Sequence, residues 1–385
     1  MFLQIHTLTS YPASLLNRDD AGLAKRIPFG GSVRMRVSSQ CLKRHWRTAL
    51  HQQLKLLPTG IRSRHFFERE ILPRVVDQGI PEDVAQTLTK TLMEKLIMHK
   101  SEADGLTMKQ PVLFGKPEAD YFVSVIAECA QDHDVEHAKK RLEDKLKTEK
   151  KNFAAMVKQA GGTELFSGLE GALFGRFVTS DILARSDAAV HVAHSMTIHP
   201  IDTEVDFFTV VDDLNLTEET GAAHAGDMEL GAGVFYGYVV VDVPLLVSNF
   251  TGCDRSTWTK QPSDDVRETL RTLIRTIATV SPGAKLGATA PYAYSDFILL
   301  ETGKQQPRTL ANAFVEGIAA KADVVQSGAE AIARYLSELD NMYGATCATR
   351  ALTTRTEWPA KAPTPAPLDE AIEQVLGNTF GAYAR

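Results

Sequence analysis

The order in which apolar periodicities follow one another constrains this chain more than any single motif. Its strongest extended run is GVFYGYVVVDVPLLV (233–247), dense in β-branched and aromatic residues and read as a strand. Earlier, FLQIHTLT (2–9) reads as a first strand that stops at Ser10-Tyr11-Pro12. AVHVAHSMTIH (189–199) and AYSDFILLE (293–301) are two more. Two amphipathic helices lie among them. One is capped by Ser38 or Ser39 and runs to about residue 56, with Leu42, Trp46, Ala49 and Leu50 on one side. The other is capped by Ser263, and its Val266, Leu270, Leu273, Ile274 and Ile277 share a face.

With insertions set aside, the order is strand, helix, strand, strand, helix, strand. That is the split βαβ of ferredoxin-like and RNA-recognition-motif folds, an α+β class. A helical insertion follows the first helix, with segments near 63–77, 81–99, 118–131 and 134–160, and a polar excursion (200–230) separates the middle strands. Residues 10–32 carry Asn17, Asp19, Asp20, Gly22, Pro28, Gly30 and Gly31 and read as loop. VRMRV (33–37) alternates, sending Arg34 and Arg36 to one face. Helical patterning resumes at 308–340, and the Pro/Ala-rich WPAKAPTPAP precedes a last short helix.

A length of 385 residues allows one large domain with insertions, or two. The formal net charge of −6 means that any affinity for nucleic acid must come from a local patch. Cys41, Cys129, Cys253 and Cys347 lie far apart with no CxxC, which argues against a zinc site or a disulfide scaffold and fits a reducing cytoplasm. No apolar run is long enough to span a bilayer, so no membrane partner is expected. MFLQIHTLTS lacks a basic n-region and reads as a strand rather than a signal peptide.

Against that acidic background one block stands out. From Arg18 to Arg47 there are eight cations (Arg18, Lys25, Arg26, Arg34, Arg36, Lys43, Arg44, Arg47) and two acids (Asp19, Asp20). Gln40, Lys43, Arg44 and Arg47 form the polar face of the first helix, and its cations crowd the end that already carries partial positive charge. Phosphate is the natural counter-charge, since helix N-termini, Ser and Gln side chains all donate to anions. The plainer reading is a solvated basic face; the unfavourable placement speaks against it.

Other constellations are weaker. TEVDFFTVVDDL (203–214) sets Phe207 and Phe208 in acidic sequence, where an exposed ring can wedge or stack bases, or both rings can pack under the loop. Asp206, Asp212 and Asp213 lack supporting metal ligands at useful spacing. His133 and His137 are i, i+4 on a helix without a third ligand, and His191, His194 and His199 do not share a strand face. SPGAKLGATAP (281–291) is no phosphate loop, although Lys285 is able to touch a phosphate. The lysine-rich stretch 139–151 interleaves Glu143, Asp144 and Glu149, as a salt-bridged surface helix does; duplex DNA is the functional alternative. No catalytic motif is evident, and no cofactor is expected.

NRDDAGLAKRIPFGGSVRMRVSSQCLKRHWR (17–47), GALFGRFVTSD (171–181), AHSMTIHPIDTEVDFFTVVDDL (193–214) and SPGAKLGATAPYAYSDF (281–297) resemble the backbone subunit (CasC family) of the type I-E CRISPR Cascade complex. The resemblance implies an RNA-recognition-motif-like palm (1–59, 166–199 and 231–345), helical fingers (60–165), a loop or hairpin thumb (200–230) and a C-terminal segment (346–385). It implies a non-catalytic protein whose copies stack head-to-tail along CRISPR RNA beside other Cascade subunits. The guide then pairs with target DNA, which a recruited helicase-nuclease cuts. RNA-backbone contacts fall by resemblance on Arg18, Lys25, Ser38, Gln40, Lys43, Arg44 and Arg47. The wedge at the displaced base falls on Phe177, with Phe208 and Thr209 as thumb partners. Two departures stand out: Ser32 replaces a common basic residue, and Phe177 replaces a common Met.

Two other functions stay open at the level of sequence. One is a metal-dependent ribonuclease backbone subunit that cuts target RNA at the thumb through an acid such as Asp206. The other is an RNA-processing endonuclease using a histidine such as His6.

Overall fold

The computed structural model describes residues 1–97, 105–131, 134–149, 165–176, 186–210, 224–319, 323–345 and 347–381. Strands are β1 (Phe2–Ser14), β2 (Arg26–Phe29), β3 (Ser32–Val37), β4 (Gly60–Ser63), β5 (Val112–Gly115), β6 (Val190–Val192), β7 (Ser195–Thr197), β8 (Thr203–Val210), β9 (His224–Asp242), β10 (Ser295–Gly303) and β11 (Thr349–Thr354). Helices are α1 (Ser39–Gln53), α2 (Leu72–Val76), α3 (Glu82–Ile97), α4 (Lys116–Cys129), α5 (Val135–Glu149), α6 (Gly168–Phe174), α7 (Val243–Thr251), α8 (Asp264–Thr279), α9 (Val324–Tyr343) and α10 (Leu368–Phe380). This mixture of helix and sheet is an α+β fold. Among the described residues no helix is long and apolar enough to cross a membrane.

Two compact units emerge: Met1–Gln53 with His191–Asp242 and Arg267–Arg385, and Leu54–Val190 with Val243–Val266. The first is built on a sheet in the order β11-β10-β1-β9-β7-β3-β2. Its pairings are antiparallel, with Phe2 opposite Gly303 on β10 and Asp242 on β9. Leu42 and Trp46 of α1 and Ile277 of α8 line a cavity with Ile5, Thr7, Phe235 and Val239, so both helices cover one face of the sheet. On the other face Leu8, Tyr236, Phe297 and Leu299 pack with Val325, Ala329, Ile332 and Leu336 of α9.

β1 runs five residues past its expected end at Thr9, because β9 is long enough to keep pairing with it. Pro12 is accommodated in the register shift between Tyr11 and Ser14. β9 begins at His224 and turns into α7 at Val243, so VPLLV is helix rather than strand; Pro244 fits a first helical turn. The expected strand 189–199 is two short pieces, β6 and β7. Within the expected loop 10–32, β2 pairs with β3 as an edge hairpin that tolerates Pro28. Its Gly30-Gly31 turn has φ of +59° and +79°, the left-handed pair a two-residue hairpin requires. A Cβ on Gly30 would lie 1.5 Å from the Val315 carbonyl oxygen.

In the second unit, Phe66, Phe67, Phe114 and Phe122 anchor a helical core, with Phe66 and Phe114 stacked at 4.3 Å. The insertion is not wholly helical: β4 and β5 form a two-stranded sheet inside it. Buried Glu118 caps α4 through the Gly115 amide (2.9 Å) and pairs with buried Arg176 (2.6 Å). Ala138, Leu142 and Leu146 bury one stripe of α5, while Lys145 pairs with Glu128 and Lys147 with Asp144.

His6 belongs to the core of the first unit, which removes it as a surface catalyst. Its side chain is wholly buried. The Leu310 amide donates to Tyr236 Oη, whose hydroxyl donates to His6 Nδ1, and His6 Nε2–H donates to Glu301 (3.2 Å). Glu301 also accepts both terminal nitrogens of Arg308 and Nε of Arg350. Burial lowers the His6 pKa below its ordinary value, against the pull of Glu301. Burial pushes the Glu301 carboxyl upward, but hydrogen bonds from His6 and Arg308 outweigh it and hold the group well below the usual range. Both groups therefore contribute stability that is present above their unfolded values and lost as pH falls. Folding stability, measured by urea denaturation, should decline below about pH 6.5 as unfolded His6 takes up a proton that the buried ring refuses. His6→Gln should shrink that limb to the shares of His51 and His194, whose pKa values are also lowered by burial, and leave the more acidic limb below about pH 4.5, to which Glu301 contributes.

Candidate nucleic-acid interface

The basic block folds as a loop, a hairpin and the start of α1. Asn17 joins them: its carbonyl accepts the Lys25 amide and its Oδ1 accepts the Ser38 amide, both at 2.9 Å. Asp19 Oδ1 accepts the amides of Ala21 and Leu23, closing a turn that leaves Arg18 exposed. Ser38 then caps α1, its Oγ accepting the Cys41 amide at 3.3 Å. No acidic residue occupies the first turn of the helix.

Ser39, Leu42, Trp46 and Leu50 are the buried side of α1. Gln40 and Arg44 are exposed, and Lys43 and Arg47 half-exposed, at i, i+3, i+4 and i+7 along the opposite side. Lys25 joins them from the preceding loop. Cys41 feels it: burial raises the thiol pKa, while the charges of Arg44 and Lys25 pull it down.

Arg34, Arg26 and Arg36 make contacts within the fold that the sequence does not reveal. Arg34 is fully buried, although it shares a strand face with Arg36. Its guanidinium donates to the carbonyls of Thr197 (3.4 Å), Phe314 (3.0 Å) and Val315 (3.4 Å) and lies over the Phe29 ring. The expectation that it supplies the basic surface is therefore corrected: the segment around Phe314 covers it. Arg26 pairs with buried Glu229, which also accepts the Ala24 amide. Arg36 donates to the Arg26 carbonyl and meets His194.

The backbone at the N-terminus of α1 is also used internally. The Ser39 amide donates to His194 Nδ1 and the Cys41 amide to Ser38 Oγ. Ser38 itself is buried by its capping role.

β8 pairs with the first half of β9 from Thr203 opposite Gly231 to Val210 opposite His224, giving the excursion two hairpin arms. Phe207 is 65% exposed beside exposed Val205, while Phe208 is half-buried over Gly226. Thr209 and Asp206 are exposed. Lys285 Nζ sits 5.8 Å from the centre of the Phe208 ring, so the loop after α8 meets this hairpin. That loop is pinned to α1 by the Gly283 amide donating to His45 Nε2. Phe177, Asp212, Asp213 and His133 lie outside the described residues. His199 accepts the Val234 amide, and His137 stands in the first turn of α5, its amide held by Asp134. In the sequence Asn17 reads as turn chemistry and His194 only as a candidate metal ligand. The partner of the Asn17 side chain lies 21 residues on, at Ser38, and the partners of His194 come from α1 and β3.

A family model described as CT1975-like protein matches residues 3–377. The chain belongs to that family. No curated protein matches it in sequence. Among solved structures, a chain of "CRISPR RNA-guided surveillance complex, pre-nicking" is similar with a TM-score of 0.77 and 22% identity, covering 99% of this chain and 100% of that one. A chain of "CRISPR RNA-guided surveillance complex" is similar with a TM-score of 0.58 and 20% identity, again covering 99% and 100%. At these identities the likeness is one of fold.

The division between internal and surface cations is testable. Arg34→Met should lower folding stability by about 3 kcal/mol, because three buried carbonyls lose a charged donor. Arg44→Ala should leave it within about 0.5 kcal/mol, as befits an exposed site. Thermal denaturation of the two variants checks this.

Proposed function

We propose that this CT1975-like protein is the backbone subunit of a Cascade-type, RNA-guided CRISPR surveillance complex, binding guide RNA along α1. One observation carries the reading. Gln40, Lys43, Arg44 and Arg47 line one side of a helix whose first turn holds no acid, in a chain of net charge −6. Lys25 and Arg18 extend that surface through the loop fixed by Asn17 and Asp19. Lys43 and Arg47 stand i, i+4 and Arg44 and Arg47 i, i+3 on α1, and like charges at such spacings cost roughly 0.2–0.5 kcal/mol per pair, which a polyanion against them offsets.

Family membership and the likeness to surveillance-complex chains support the same reading. So does topology. Taking β1, β7, β9 and β10 as the four strands of the split βαβ gives the spatial order four, one, three, two, with α1 and α8 on one face. In this reading that sheet is an RNA-recognition-motif-like palm, the insertion is the fingers and the β8–β9 hairpin is the thumb. Copies stack head-to-tail on the guide, and the thumb residues Phe208 and Thr209 meet the wedge at Phe177. Ser38 contributes chiefly by capping the basic helix. The subunit is a type I-E scaffold in the cytoplasm that performs no chemistry itself: it holds the guide for target DNA, and a separate helicase-nuclease does the cutting.

Grip on phosphate rather than on bases fits a guide of any sequence. Lys43→Ala combined with Arg47→Ala should weaken binding about equally for unrelated single-stranded RNAs. It should also flatten the slope of log affinity against log salt by roughly 1.4, the loss of two single-strand phosphate contacts. Filter binding across a salt series measures both, and sequence-selective loss with an unchanged slope would contradict the proposal. The RNA should stay intact in magnesium.

A further inference from the structure

His194, between β6 and β7, is held in one tautomer by the groups around it. Ser39 N–H reaches its Nδ1 at 3.2 Å and Arg36 Nη1 reaches the same atom at 3.3 Å. A backbone amide and a guanidinium only donate, so Nδ1 must be the acceptor and the ring proton must sit on Nε2. The ring is exposed, and Nδ1 is the edge turned toward α1. Nε2–H is then the remaining donor of this exposed ring.

The charges facing this ring come from each element around it: Arg36 on β3, Lys43 on α1 and Lys25 on the loop before β2. Desolvation lowers its pKa first, and those three cations lower it further. Protonating Nδ1 would also set a third donor against the Ser39 amide and Arg36. The ring therefore stays neutral in the midst of cations while still offering one N–H.

We propose that His194 is a further nucleic-acid contact, donating Nε2–H to a backbone phosphate oxygen held among Lys25, Arg36 and Lys43. The inference rests on the RNA-binding reading above and adds a neutral donor to it. A neutral donor suits this position because a fourth positive charge there would add repulsion whenever RNA is absent.

The test uses two variants of the full-length protein and a labelled single-stranded RNA of mixed sequence. His194→Asn keeps an acceptor where Nδ1 stands but removes the Nε2–H donor. Its thermal midpoint should match wild type, and its RNA affinity should fall roughly tenfold, the loss of one hydrogen bond to a charged group. His194→Ala should lose both affinity and some stability, because the Ser39 amide is left without its acceptor. Long-range proton–nitrogen NMR of the wild type should show a neutral ring with its proton on Nε2 at pH 7, and a shift at that nitrogen when RNA is added. Unchanged affinity in His194→Asn, or a proton found on Nδ1, overturns the inference. If the wild type binds no RNA, the functional reading itself fails, an outcome distinct from either.

Discussion

The first unit depends on β1 being paired along both edges and covered on both faces. β9 and β10 occupy its sides, α1 and α8 cover one face and α9 the other. Burying Leu3, Ile5 and Leu8 there contributes about 1.5–3 kcal/mol each by transfer from water. The same placement leaves no water for Gln4 or His6, so each needs an internal partner. Gln4 Oε1 takes the Tyr238 hydroxyl and the Arg308 amide, and His6 links Tyr236 to Glu301. With β1 immobilised, the loop that leaves it and the hairpin β2–β3 deliver α1 in a fixed position.

What α1 then presents is electrostatically unfavourable by design of its sequence. The fold neutralises the cations it can reach: Glu229 takes Arg26, and backbone carbonyls take Arg34. It places no acid in the first turn of α1. In the proposed reading a polyanion lies along the side formed by Gln40, Lys43, Arg44 and Arg47. β9 adds a mechanical element, because one strand is both a central member of the sheet and an arm of the hairpin that carries Phe208. The hairpin arms are therefore continuous with the sheet that seats α1.

Long periodic elements were legible in the sequence. The stripe Leu42, Trp46, Leu50 announced α1, and the serines before it announced the cap. Short edge strands were not: β2, β4, β5 and β11 have four to six residues and too little alternation to separate from loop or helix. The end of β9 is hidden in the sequence because VPLLV is as apolar as the strand before it, and Pro244 is a weaker signal than a run of Val and Leu. The basic helix face was readable from spacing, whereas the fates of Arg34 and His6 were not. Each is buried by a segment hundreds of residues away, around Phe314 for the first and at Glu301 for the second. Local pattern carries no record of such contacts.

A cryo-electron-microscopy map of the protein purified with its RNA tests the central claim most directly. The account predicts sugar–phosphate density along the side of α1 formed by Gln40, Lys43, Arg44 and Arg47, within hydrogen-bonding distance of those side chains. RNA running along another surface, with that side of α1 facing solvent, would contradict it.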